Sequence, residues 1–222
     1  MRVTILPVIL CVSLTSMNPR TPASERLAER SSDFATFSLK YSGTVIGITG
    51  VSMEVKVDMD TSIGFRYEIS YQGRITRHAA IFYKFSAPDQ VIKYDFATHK
   101  SKVIQSSGQS KDPVMLVTNK MEVVNGYSCT HLYYENELQR QDYYMSKSVP
   151  GFSQAVRVLQ EIDPSIKSMA INHTIFNYGG LVKLDMTATN PKTGQTYRGT
   201  VNLVSAQSGI PLPQDDFDVP SN

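Results

Sequence analysis

The segment SMEVKVDMD at 52–60 alternates apolar and charged side chains without a break after its first serine. In an extended strand Met53, Val55, Val57 and Met59 share one face, and Glu54, Lys56, Asp58 and Asp60 take the other. The same period recurs in Phe65, Tyr67, Ile69 and Tyr71 against Arg66, Glu68 and Ser70, and in Val182, Leu184, Met186 and Ala188 against Lys183, Asp185, Thr187 and Thr189. Such strands predict an antiparallel sheet with one wet face. Turn signals separate them: Gln72-Gly73, the strong hairpin pair Asn125-Gly126, and the longer NPKTG loop at 190–194.

A helical period stands out once. Phe152, Ala155, Val156, Leu159 and Ile162 fall on one face, with Ser148 as the expected N-cap, Pro150 in the first turn and Asp163-Pro164 as the stop. Ile166 and Met169 are read as a short second turn, and a further short helix is read at 25–31. A single apolar stripe among strands has only the sheet to bury against, so the fold class is α+β, mainly β. The strand face capped by Met53 and Met59 then covers either a solid core or a space kept for an apolar ligand, since methionine adapts to both.

The N-terminus reads as an export signal. Arg2 precedes the apolar run VTILPVILCVSL at 3–14, too short for the roughly 20 residues that span a bilayer. The expected organisation is a signal peptide at 1–17, cleaved somewhere between 15 and 24, a polar linker at 18–32 and one domain at 33–222. Leu10 before Cys11 is too bulky for a lipidation site, so an outer-membrane lipoprotein is the weaker reading. Removal of the leader leaves Cys129 as the lone cysteine, read as a small buried sheet residue rather than a reactive thiol. The net charge of +2 is dispersed, which argues against a nucleic-acid partner.

No spacing forces catalytic groups together. The chain lacks G-x-S-x-G, H-E-x-x-H, C-x-x-C and phosphate-loop patterns, and Gly43, Gly47 and Gly50 match no nucleotide fingerprint. His78, His99, His131 and His173 are scattered and read as strand or loop surface residues, and Asp215-Asp216 as a solvated pair. Asn172-His173-Thr174 fits the glycosylation pattern, which matters only in a eukaryotic source. No catalytic residue, metal or cofactor is expected.

Several stretches carry a resemblance. NKMEVVNGYSCTHLYY at 119–134, the strand ending YYMSK at 143–147, VPGF at 149–152, GLVKL at 180–184 and the closing IPLPQDDFDVP at 210–220 resemble an uncharacterised family of exported bacterial proteins, over about 110–221 and more loosely over 34–106. That family is similar in fold to lipoprotein carriers of the LolA/LolB type. The resemblance implies a curved, incomplete antiparallel half-barrel covered by one or two helices, with a hydrophobic cavity between sheet and lid.

The expected site is therefore an apolar cavity lined by Met53, Val55, Val57, Met59, Phe65, Tyr67, Ile69, Leu184 and Met186 under Phe152, Val156 and Leu159. The implied ligand is a lipid or lipoprotein acyl chain, bound by a periplasmic, non-enzymatic carrier. The alternative is a cell-envelope interaction protein acting through its sheet edge or convex surface with no cavity ligand. Over a cavity, Leu159→Ala or Phe152→Ala should cost little stability, because the side chain already lacks partners on one side.

Overall fold

The computed structural model describes residues 12–13, 35–46, 50–73, 76–87, 90–103, 116–162, 168–169 and 173–220. The apolar leader apart from Val12 and Ser13, the linker, the helix read at 25–31, Asp163-Pro164, Ile166 and Asn172 lie outside the described residues.

Alternation fixes the register of the central strands. β2 (Thr36–Ile46), β3 (Val51–Asp60) and β4 (Gly64–Gln72) pair antiparallel, aligning Leu39, Val57 and Tyr67 in one row and Tyr41, Val55 and Ile69 in the next. A one-residue slip would turn this apolar set outward. Beyond β4 the sheet continues through β5 (Arg77–Lys84), β6 (Val91–Asp95) and β7 (Lys100–Val103). On the other side of β2 it runs through β13 (Thr196–Ser208), β12 (Gly180–Thr189), β10 (Gln139–Ser146), β9 (Tyr127–Glu135) and β8 (Leu116–Val124). The result is an 11-stranded antiparallel sheet that does not close into a barrel, with β7 and β8 at its edges. Asn125 and Gly126 both take positive φ, 50° and 82°, as a two-residue β8–β9 hairpin requires.

β1 (Val12–Ser13) pairs with β11 (Ser168–Met169) in a separate ladder. Met169 is thus in a strand and not in the helical turn expected of it.

The helix α1 (Phe152–Ile162) lies in the connection from β10 to β12. Its cap is not the one expected. The N–H of Ser148 donates to Ser146 Oγ at 3.3 Å, so Ser148 belongs to a turn and not to the cap. Gly151, at φ 71°, enters the helix instead, and a Cβ there would stand 2.3 Å from the Phe37 ring.

The outer face is only partly wet, and this corrects the alternation reading. Every residue from Ala79 to Tyr83 is buried, on both faces of β5. The cause is the 210–220 segment. It leaves β13 on one side of β2, passes β2 and β3 and reaches β4 and β5 on the other side, where the short 3₁₀ turn Gln214–Phe217 packs. Asp58 and Asp60, expected in water, are buried at 0% and 9% exposure. Lys56 Nζ stands 2.7 Å from Asp58 Oδ2, although neither oxygen of Asp58 makes a hydrogen bond of good geometry. Asp60 accepts from the backbone N–H and hydroxyl of Ser62 at 2.8 and 2.6 Å.

Beside the crossing, Glu68 is held between Arg66 and His78, with His78 Nε2 2.5 Å from its carboxylate. Burial opposes ionisation of Glu68, but the hydrogen bonds from His78 and Arg66 and their charges outweigh it and hold the pKa below the ordinary value of 4.5. A carboxyl whose pKa is depressed by folding contributes stability above its unfolded pKa and loses it as pH falls through the folded one. Stability should therefore decline below about pH 4.5, and Glu68→Gln should flatten that decline in urea melts recorded from pH 6 to pH 3. An unchanged slope would show that the Glu68 pairs contribute nothing to it.

Candidate functional site

Where α1 lies on the inner face, Phe152, Ala155, Val156 and Leu159 meet Leu39 and Tyr41 of β2, Val55 and Val57 of β3, Tyr67 of β4, Leu181 and Leu184 of β12 and Val201 of β13. The seam they enclose is hydrocarbon throughout except for two phenols. Tyr41 donates its hydroxyl to the Leu181 carbonyl at 3.2 Å, and burial pushes its pKa far upward, so it stays neutral. The free space is about 40 Å³, the scale of one water molecule, against the roughly 300 Å³ or more of a typical ligand pocket.

The structure brings together Val55, Val57, Tyr67, Phe152, Val156, Leu159 and Leu184 along this seam. It adds Leu39, Tyr41, Ala155, Leu181 and Val201. Met53, Met59, Phe65, Ile69 and Met186 do not line the seam, although all five belong to the main apolar core or pack against it. At 1.5 Å per residue an 11-residue helix is about 16 Å long, so it covers only part of the sheet. Met186 lies opposite Gly199, and Met53 opposite Gly43.

Because Leu159 and Phe152 are 1% and 5% exposed and the seam is nearly filled, the expectation of cheap truncation does not fit this packing. Both side chains already have partners around them.

A larger recess of about 250 Å³ is lined by Ser42, Thr44, Ser52, Glu54, Ser70, Gln72, Thr200 and Asn202, with Gly43 and Met53. Most of its lining side chains are polar, although much of its wall is hydrocarbon, and Glu54 is its single carboxylate.

The histidines form pairs that no spacing in the sequence anticipates. His131, half-buried, holds Asp142 Oδ1 at 2.9 Å through Nε2 and has Thr118 Oγ1 3.5 Å from Nδ1, an outline of an acid–base–hydroxyl triad. The hydroxyl proton, however, is donated to the His131 carbonyl at 2.9 Å, so the imidazole does not activate it. Asp142 also accepts two hydrogen bonds from Arg140. Burial works against its ionisation, but the hydrogen bonds from Arg140 and His131 and their charges lower its pKa. Stacking of His131 on Tyr144 at 5.0 Å completes a network that stiffens the outer face of β9 and β10. His131 is therefore not the surface residue expected, whereas His78 is 41% exposed at its side chain and His99 sits in a turn at φ 53°. Cys129 is fully buried, and desolvation raises its thiol pKa, which makes it a packing residue. Asp216 is paired with Arg66 and not simply solvated.

No protein-family model matches the chain, and no curated protein matches it. Solved structures do. A domain provisionally described as an outer membrane lipoprotein-sorting protein, from Vibrio parahaemolyticus, is 13% identical with a TM-score of 0.34, over 88% of this chain and 94% of that one. A LolA superfamily protein from Nitrosomonas europaea is 10% identical with a TM-score of 0.34, over 88% and 97%. A DUF1329 family protein from Desulfovibrio piger is 10% identical with a TM-score of 0.32, over 88% and 94%. Among the described residues no helix is long and apolar enough to cross a membrane.

Proposed function

We propose that this chain is an exported, non-enzymatic binder or carrier of an apolar ligand, which it takes between α1 and the inner face of the sheet. The observation that carries this reading is the seam itself: one amphipathic helix laid over five strands, with hydrocarbon on both walls and the Tyr41 hydroxyl already satisfied. Such walls offer an acyl chain or another lipid dispersion and desolvation, and nothing that would react with it. At about 40 Å³ the seam is too small to hold a lipid without movement of the helix. Loading then requires α1 to draw away from Leu39, Val57 and Leu184, which exposes that surface only while a ligand replaces the helix contacts.

The test is direct. Protein taken from the exported fraction, with its new N-terminus located by sequencing between 15 and 24, should yield a stoichiometric lipid on solvent extraction and mass spectrometry. The delipidated protein should take up a hydrophobic dye. Repeated empty extracts together with no dye uptake would sink the carrier reading, and a native protein still beginning at Met1 in the cytosol would sink the export reading.

A further inference from the structure

The segment that crosses the outer face is held as a bound peptide is held. It approaches through Pro213 in an extended conformation, φ −58° and ψ 137°, makes one 3₁₀ turn and leaves extended at Asp218. Among the described residues its backbone joins no strand of the sheet beyond Gly209, whose N–H reaches the Thr36 carbonyl at 3.0 Å. One side chain anchors it: Phe217 is 1% exposed, whereas Pro211, Pro213, Gln214, Asp215 and Pro220 are exposed.

Charge complements the anchor. Arg66 donates to the Asp216 carbonyl at 3.3 Å and stands 3.5 Å from its carboxylate, and Lys84 pairs with Asp218. Val219 packs on a small apolar floor of Ala80, Phe82 and Tyr94, separate from the main core, and Arg66 lies over the Phe82 ring at 5.5 Å. The stretch PQDDFDVP at 213–220 thus brings Asp216 and Asp218 to two cations around one buried ring, with Asp215 exposed and no base in the stretch.

We propose that the outer face of β4–β6 is a docking site for acidic peptides carrying one aromatic residue, filled in cis by residues 213–220 and open in trans to a partner segment of the same chemistry. A tethered segment acts at an effective concentration near millimolar, so it blocks the site without binding tightly, and a partner presenting several contacts can displace it. Displacement would uncover the floor of Ala80, Phe82 and Tyr94 on which Val219 packs, giving the outer face two states.

The probe is a fluorescein-labelled peptide PQDDFDVP, titrated by anisotropy against the full chain and its Phe217→Ala variant. The variant should bind it at least tenfold more tightly than the wild type, whose own segment competes. Phe→Ala in the peptide, Arg66→Glu in the variant and added salt should each weaken binding at least tenfold. A folded Phe217→Ala chain that ignores the peptide, or equal binding by variant and wild type, would overturn the proposal. If Phe217→Ala does not fold, a protease site inserted at the exposed Gly209–Ile210 junction lets the segment be cut after folding. The cut segment should then exchange with labelled peptide, and failure to exchange would overturn the proposal equally.

Discussion

Truncating Leu159 to alanine should lower the unfolding free energy by about 2 to 5 kcal/mol and increase the uptake of small apolar probes. Leu159 is 1% exposed and faces a wall drawn from β2, β3, β4, β12 and β13. Those strands are tied to one another by the ladder, so they cannot follow a shortened side chain inward. The lost transfer energy and the unfilled volume therefore both count. The hole left behind adjoins the existing space of about 40 Å³ and enlarges it with hydrocarbon on every side. Voids of that kind stay dry and accept apolar guests. Urea melts and probe titrations on the same variant separate the two effects. A cost well under 1 kcal/mol would mean that α1 does not pack as described, and a large cost with no gain in probe uptake would mean that the seam repacks without leaving room for a guest.

The alternation of β3, β4 and β12 was legible because each strand has one strongly apolar side, and that property fixes sheet register as well as burial. The helix stripe was legible for the same reason at a different period. Leu39, Tyr41 and Val201 were also within reach: Phe37, Leu39 and Tyr41 alternate with Ser38, Lys40 and Ser42, and Val201 and Leu203 flank Asn202. Leu181 was not. It turns inward beside Val182 because the β10–β12 register shifts between Tyr144 and Met145, an irregularity with no composition signature. The five residues expected in the seam but absent from its lining belong to the main apolar core or pack against it, so their side of the sheet was legible and their place under the helix was not. Face is a local property of a strand, whereas coverage depends on where another element ends.

Asp58 shows the limit from the other side. Its alternation places it correctly on the outer face, opposite Ser38 and Arg66. Asp58 is nonetheless buried, and its cross-strand neighbour Arg66 holds Asp216, 150 residues further along the chain, a contact that no local pattern announces. Gln214, Asp215 and Asp216 look like an ordinary solvated ending, and only the cations of β4 and β5 beneath them give the acidic stretch a role.

The junction that sets α1 in place depends on Gly179, and Gly179→Ala should be the more damaging of two otherwise similar substitutions. Gly179 has φ 93°, and a Cβ there would lie 2.2 Å from the Ser146 carbonyl oxygen, 2.5 Å from its carbon and 2.6 Å from Lys147 Cα. All three are backbone atoms where β10 ends and the chain turns toward α1, so no side chain can swing aside. Relief requires moving the entrance of the helix or the start of β12, where Gly180 is wedged as closely against Val149. Strain of about 1 to 2 kcal/mol from the positive φ adds to an overpacking cost of about 1 to 3 kcal/mol, giving roughly 2 to 5 kcal/mol in all. Gly194 provides the control. It has φ 67° in the β12–β13 loop, and a Cβ added there would meet nothing within 4 Å, so Gly194→Ala should carry the conformational strain alone. Denaturant midpoints for the two variants, measured side by side, should differ by about the overpacking cost, and the Gly179 variant should also show altered probe uptake because the lid has shifted. Equal midpoints would mean that the close approach of Gly179 to Ser146 is absent in solution, and with it the constraint that fixes α1 over the seam.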